Sequence, residues 1–231
     1  MERILDWVPR FDERSRNYPI TAIVGKSLRP RNRTWKPGQI LDQGSEGACV
    51  GFGWTAEALA TPVKVSLDRV KADIPRDPTD FSHFVYKSAQ RIDEWEGENY
   101  SGTSVLAGAK VMKEVGTLKE YRWAFSTNDL LLGIAARGPA VLGIPWYDSM
   151  YEAPNGVVSV KGRAVGGHCI TAVGYRTSSK HFDGAPSVVL VNSWGPEWGN
   201  NGVAEISVSD LDRLLQSGGE ACIPVGRSYG R

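Results

Sequence analysis

The chain has 231 residues, 41% hydrophobic and 23% charged, enough for one sizeable core or two small lobes. Its 27 Lys and Arg against 26 Asp and Glu leave a formal net charge of +1, which gives no electrostatic case for nucleic acid or for an anionic membrane surface. No apolar run approaches the ~20 residues of a membrane span. The start, Met1-Glu2-Arg3-Ile4-Leu5-Asp6-Trp7, carries acids where a signal peptide needs an apolar stretch. Three cysteines do not make a disulfide scaffold, so the expectation is a soluble chain of a reducing, cytoplasmic compartment.

Residues 1–34 read as an arm or short propeptide, punctuated by Pro9, Pro19 and Pro30 and crowded with charge at Asp12, Glu13, Arg14 and Arg16. Trp7, Val8, Phe11, Tyr18 and Ile20 give that arm apolar groups to dock with. Arg29, Arg31, Arg33 and Lys36 read as a solvated basic strand or arm. A helix is expected over 48–60, stopped by Pro62, and after a Pro- and Asp-containing connection a second over 82–92. Ser104 is placed to cap a third, with Leu106, Ala109, Val111, Met112 and Val115 on one face and Gly116 as its stop. Ser126 or Thr127 opens a fourth, ending near Gly138. Beyond Pro139 the texture turns to strands, over 140–146, 157–160, 169–175, 188–191 and 203–208. A helical part followed by a β-rich part implies an α+β fold of two lobes with a cleft between them.

The chemistry is carried by four residues in chain order. Gln43-Gly44-Ser45-Glu46-Gly47-Ala48-Cys49 leads into the first helix, Gly167-His168-Cys169 opens a strand, and Asn192-Ser193-Trp194-Gly195 ends another. A thiol at a helix start beside an imidazole is disposed to ionise. His168 would take the proton and return it to the leaving amine, and Asn192 would fix its tautomer. Gln43 and the Cys49 N–H would face a developing oxyanion. Taken alone, this constellation defines a thiol hydrolase. His83 and His181 belong to no such set, and no Cys/His spacing suggests zinc, so neither metal nor cofactor is expected.

The same segments resemble the papain-like cysteine peptidases, and among them the bacterial and viral branch. The resemblance runs from about Trp35 to the C-terminus, and the Asn192-Ser193-Trp194-Gly195 and Trp198-Gly199 block is its most specific part. It implies a papain-like two-lobed fold, with a mainly helical lobe over 35–116 and a mainly β, barrel-like lobe over 117–231. It implies catalytic roles for Cys49, His168, Asn192 and Gln43, and a Trp194 that shields the His–Asn hydrogen bond. Ser101-Gly102-Thr103 corresponds to the rail that pairs with an extended peptide. Gly143, Gly166 and Gly167 fall near the pocket that reads the side chain two positions before the scissile bond, here expected to be roomy and apolar. Departures are Glu46 and Gly162 at positions where relatives carry disulfide cysteines, the second the expected partner of Cys222, and Val50 in place of an aromatic. Both cysteine losses fit a reducing compartment, and Glu46 is expected to place negative charge near Cys49.

The implied activity is a cysteine endopeptidase acting on polypeptides through a thioester acyl-enzyme. A cell-wall peptide amidase or transamidase using the same thiol, and a catalytically silent module of the same fold, are the alternatives. The oligomeric state is left open.

Overall fold

A computed structural model describes residues 3–25, 28–93 and 101–227. In chain order, a 3-10 turn at Glu13–Asn17 and the short helix α1 (Thr21–Val24) precede β1 (Arg33–Thr34). Then come α2 (Cys49–Leu59), α3 (Pro78–Ile92), α4 (Val105–Val115), β2 (Glu120–Ala124), α5 (Thr127–Ala136), β3 (Ala140–Tyr147), β4 (Ala164–Arg176), β5 (Ser187–Val191), β6 (Val203–Ser207), α6 (Val208–Gln216) and β7 (Glu220–Val225). The strands form one antiparallel sheet in the order β2-β7-β3-β4-β5-β6, with β1 added on β4.

Two clusters of apolar side chains define the lobes. Val50 and Trp54 of α2 pack with Phe81 and Val85 of α3 and Val105 and Met112 of α4. The sheet side gathers Leu142, Ile144 and Trp146 of β3, Ile170 of β4, Leu190 of β5, Ile134 of α5 and Leu211 of α6. Helix α2 is buried on every face because it lies between the two, with Val50 to Ala58 buried without a break. It approaches β4 so closely that a Cβ at Gly53 would stand 2.8 Å from Cys169 Sγ. The Thr171 hydroxyl donates to the Gly53 carbonyl across the same contact, at 2.8 Å. This contact sets the distance between the start of α2 and the middle of β4.

The caps explain the helix boundaries. Ser104 accepts from the Ala107 N–H and Gly116 ends α4 in a left-handed conformation, as the sequence implies. Ser126 caps α5. Helix α3 starts earlier than expected, because Asp77 accepts from the Thr79 and Asp80 N–H groups and Pro78 suits the first turn.

Other expectations are corrected. Residues 157–160 form no strand: Val157 makes only a bridge to Glu205, after a 3-10 turn at Pro154–Gly156. The strand over 203–208 stops at Ser207, whose hydroxyl accepts from the Asp210 N–H and starts α6 at Val208. Helix α6 and strands β2 and β7 were not expected.

Glu57 of α2 is fully buried and ion-paired with Arg227, which follows β7 and also donates to the Ala60 carbonyl. Burial pushes the Glu57 carboxyl upward against the pull of Arg227. Arg227→Ala leaves that acid buried without its partner and is expected to cost about 3–5 kcal/mol in chemical denaturation. Adding Glu57→Gln should recover a large part of the loss; equal stability of the Arg227→Ala and wild-type proteins would refute the pairing.

Candidate active site

Short main-chain pairing between the segment before α2 and the segment after β5 brings the four candidate residues to one place. The Gln43 N–H donates to Ser193 O at 2.9 Å, and the Gly195 N–H to Leu41 O at 3.0 Å. Cys49 is the first residue of α2, His168 lies within β4, and Asn192 directly follows β5. All four side chains are buried.

His168 Nε2 and Asn192 Oδ1 are 2.8 Å apart. The amide oxygen can only accept, so Nε2 carries the proton and Nδ1 keeps a lone pair. Nδ1 has no hydrogen-bond partner among the described residues. Trp194 lies against the imidazole at 4.8 Å between ring centroids, as expected of a shield. Trp146 closes another side at 4.6 Å. Trp146 escaped the sequence reading; the signal was its place on β3 two residues beyond Ile144, which faces His168 in the register. Ser193 was also missed as a functional neighbour. Its hydroxyl donates to Gln43 Oε1 at 2.7 Å, which settles which end of that amide is the NH₂. The NH₂ donates to Glu46 O at 2.7 Å and reaches Ile4 O at 3.4 Å.

That last contact belongs to a segment that fills the cleft. The Trp7 N–H donates to Gly167 O at 3.0 Å, the Val8 N–H to Thr103 O at 3.1 Å, and the Thr103 N–H to Asp6 O at 3.2 Å. The expected rail therefore pairs with an extended peptide, and that peptide is the chain's own arm, running parallel to Thr103. Gly102 lies under the arm, and its N–H donates to Tyr86 Oη, which also holds the Asp6 carboxylate at 3.2 Å. Ser101 hydrogen-bonds to Asp6.

The indole of Trp7 occupies the pocket. A Cβ at Gly143 would fall 2.2 Å from the ring, and one at Gly167 2.4 Å from Trp7 O, so both glycines are what admits it. Gly166 packs on Leu5. The pocket is not wholly apolar, which corrects the expectation. Trp7 Nε1 donates to Glu220 Oε1 at 3.0 Å, and burial pushes that carboxyl up to about 7 against this hydrogen bond. Glu220 was missed because it sits on the unexpected β7.

Main-chain hydrogen bonds from Cys169 and Asp6 reach the Cys49 thiol. Burial, with the Asp6 carboxylate adding to it, pushes that thiol up to about 11. Burial likewise lowers His168 to about 4, against the pull of Asn192. Both groups are neutral while the arm is docked. Asp6, not Glu46, is the acid beside the thiol: Glu46 points outward to His83, 3.2 Å away. The peptide bond at the sulfur is Leu5–Asp6, yet the carbonyl aimed at Gln43 belongs to Ile4. No arm carbonyl is thus presented to sulfur and oxyanion donor together, so the arm fills the cleft as a plug rather than as a bond to be cut.

Cys169 and Cys222 are buried and, like Cys49, free. Gly162 faces Asp148 instead of a cysteine. No cluster of His, Cys, Asp or Glu suited to a metal occurs among the described residues.

A two-lobed α+β fold with a His168–Asn192 pair on the sheet side, and a cysteine at the start of the facing helix beside the Cys169 main chain, is the arrangement of the cysteine-peptidase class. The chain belongs to the papain family of cysteine proteases, whose pattern matches residues 79–214. It is 32% identical over 96 residues to a gut-specific cysteine proteinase of Caenorhabditis elegans, across 41% of this chain and 27% of that protein. It is 25% identical over 197 residues to cathepsin B-like CP2 of Giardia intestinalis, across 71% of this chain and 62% of that one. The chain spans about a quarter of the length of the first curated relatives it matches. Among solved structures it is similar to xylellain, a cysteine protease from Xylella fastidiosa, with a TM-score of 0.68, 15% identity and 99% of each chain covered. It is also similar to digestive procathepsin L 3 of Tenebrio molitor, with a TM-score of 0.64 and 16% identity over 96% of this chain and 76% of that one. At these identities the structural likeness is one of fold.

Proposed function

We propose that the chain is a cysteine endopeptidase of the compact bacterial or viral type, held closed by its own residues 3–8. The observation that carries this reading is the convergence of Gln43, Cys49, His168 and Asn192 beneath a main-chain segment paired as an extended peptide. With the arm displaced, water returns to the cleft and the desolvation that keeps thiol and imidazole neutral is relieved. Cys49 then gives its proton to His168 Nδ1 and attacks the substrate carbonyl. The oxyanion is met by Gln43 Nε2 and the Cys49 N–H. His168 returns the proton to the leaving amine, and water hydrolyses the thioester by the same route.

The extended pairing with Thr103 favours a polypeptide substrate over a compact amide. The match in fold to xylellain over 99% of each chain is in keeping with a compact build. Three free, buried thiols favour a reducing, cytoplasmic setting.

The test is turnover of casein and of quenched peptides, set against cell-wall crosslink peptides, using protein whose arm has been loosened by Trp7→Ala. Turnover of the cell-wall peptides alone would favour the amidase. In the same background Gln43→Ala should lower kcat by about 10²–10³-fold with little change in KM, because its amide acts on the transition state. An unchanged kcat would remove Gln43 from the oxyanion site.

A further inference from the structure

The far end of the arm marks a site of its own. Arg3 Nη1 donates to Asp42 Oδ1 at 2.5 Å and to Gly44 O at 2.9 Å, and Nη2 donates to Trp194 O at 3.0 Å. The guanidinium carbon also lies 5.9 Å from the centroid of the Trp194 ring. Every one of these partners belongs to the wall of the cleft, and the wall is built to hold them. Asp42 accepts from the Gly44 N–H at 2.9 Å and is bridged to Trp194. A Cβ at Gly195 would stand 2.8 Å from Asp42 Oδ2, so only glycine leaves the carboxylate its place. Burial raises Asp42, but the Arg3 and Gly44 hydrogen bonds outweigh it, and the group is held ionised below its ordinary range.

We propose that Asp42, the Gly44 and Trp194 carbonyls and the Trp194 ring form a guanidinium subsite, filled by Arg3 in the closed chain and by a substrate arginine in the open one. This rests on the peptidase reading above. Trp194 lies against the imidazole that must protonate the leaving amine, so the subsite lies on the leaving-group side of the scissile bond. Arg3 stands three residues from Asp6, whose main chain meets the thiol. At roughly 3.3 Å per residue, the substrate arginine falls within the first three positions after the bond. When the arm leaves, a carboxylate and two carbonyls lose the Arg3 donors together, while Asp42 keeps the Gly44 N–H. A planar guanidinium answers all three and covers the indole face, whereas an ammonium presents neither a fork nor a plane. Asp42 is half exposed, so the ion pair alone is weak, and the preference comes from the carboxylate, the two carbonyls and the indole acting together.

The experiment uses the full chain carrying Arg3→Ala and Trp7→Ala, with Cys49→Ala added for binding measurements. Quenched peptides differ only in Arg, Lys, norleucine or Glu at each of the first three positions after the bond. The expected result is that arginine at one of these positions binds at least about tenfold more tightly than norleucine, with lysine between, and that Asp42→Asn brings the ratio near one. Equal binding of the arginine and norleucine peptides, no measurable binding of the arginine peptide, or a ratio that survives Asp42→Asn would each overturn the subsite. The active-thiol protein is assayed in parallel. A retained arginine preference in binding with no cleavage of any peptide would refute the peptidase reading and leave the subsite standing.

Discussion

Trp7→Ala in the otherwise intact chain is expected to raise the rate of iodoacetamide reaction at Cys49 near pH 6 by about 10²-fold or more. The indole is the arm's main anchor: it is 5% exposed and packed with Cys49, Trp54 and Cys169. Truncating a buried Trp costs about 3–5 kcal/mol, and each 1.4 kcal/mol is tenfold in the docked-to-free ratio. The pH profile should change with the rate. In the docked chain a thiol at about 11 is ionised in roughly one molecule in 10⁴ at pH 7, so reactivity should climb with pH and show no acidic shoulder. The sign follows from burial: desolvation raises the thiol and lowers the imidazole, so each is neutral across the neutral range. Releasing the arm relieves both shifts in part and takes the Asp6 carboxylate away, which favours ionisation of the pair at lower pH. A plateau at acidic pH in Trp7→Ala, absent from the wild type, is the signature to look for. Identical profiles in the two proteins would mean that the arm does not control the thiol.

Local chemistry explains why much of the fold was legible. Ser104, Ser126 and Gly116 act through hydrogen bonds and dihedral angles a few residues away, and helices α4 and α5 fall where these residues put them. The strand over 203–208 was misjudged at its end, since Val208 continues the alternation of Ala204 and Ile206 while the deciding hydrogen bond is made by Ser207. Strand β7 carries Pro224 and follows two glycines, which argues against a strand, yet it is paired on both sides by β2 and β3. Tertiary pairing overrode the local signal there.

The four candidate catalytic residues could be nominated from the sequence because the reaction restricts residue type and order, whatever lies between them. Trp7, Glu220, Trp146, Ser193 and the Arg3–Asp42 pair could not, because each matters through a contact between distant segments. The arm's aromatic and apolar residues showed that it docks; only the sheet register shows that it docks in the cleft.

Cys49→Ala in the Trp7→Ala background is expected to abolish turnover, with a loss of at least about 10⁴-fold, while secondary structure and unfolding midpoint change little. The exchange removes one sulfur from a site at the edge of two cores, a small cavity by the measure of large-to-small substitutions, worth about 1 kcal/mol. The chain contains its own controls. Cys169 and Cys222 are as buried as Cys49, and burial holds both thiols well above the ordinary range. Among the described residues, the arm's main chain hydrogen-bonds to the Cys49 thiol and to neither of these two, so loosening the arm bears on Cys49. Peptide mapping after brief alkylation of Trp7→Ala should therefore find label at Cys49 alone, and find none once Cys49 is alanine. Turnover surviving in Cys49→Ala, or label spread evenly over the three cysteines when the arm is loosened, would show that opening the cleft merely loosens the fold. Label confined to Cys49 and lost again in His168→Ala would tie the reactivity to the pair, because Asn192 and Trp194 then hold an alanine in place of the base.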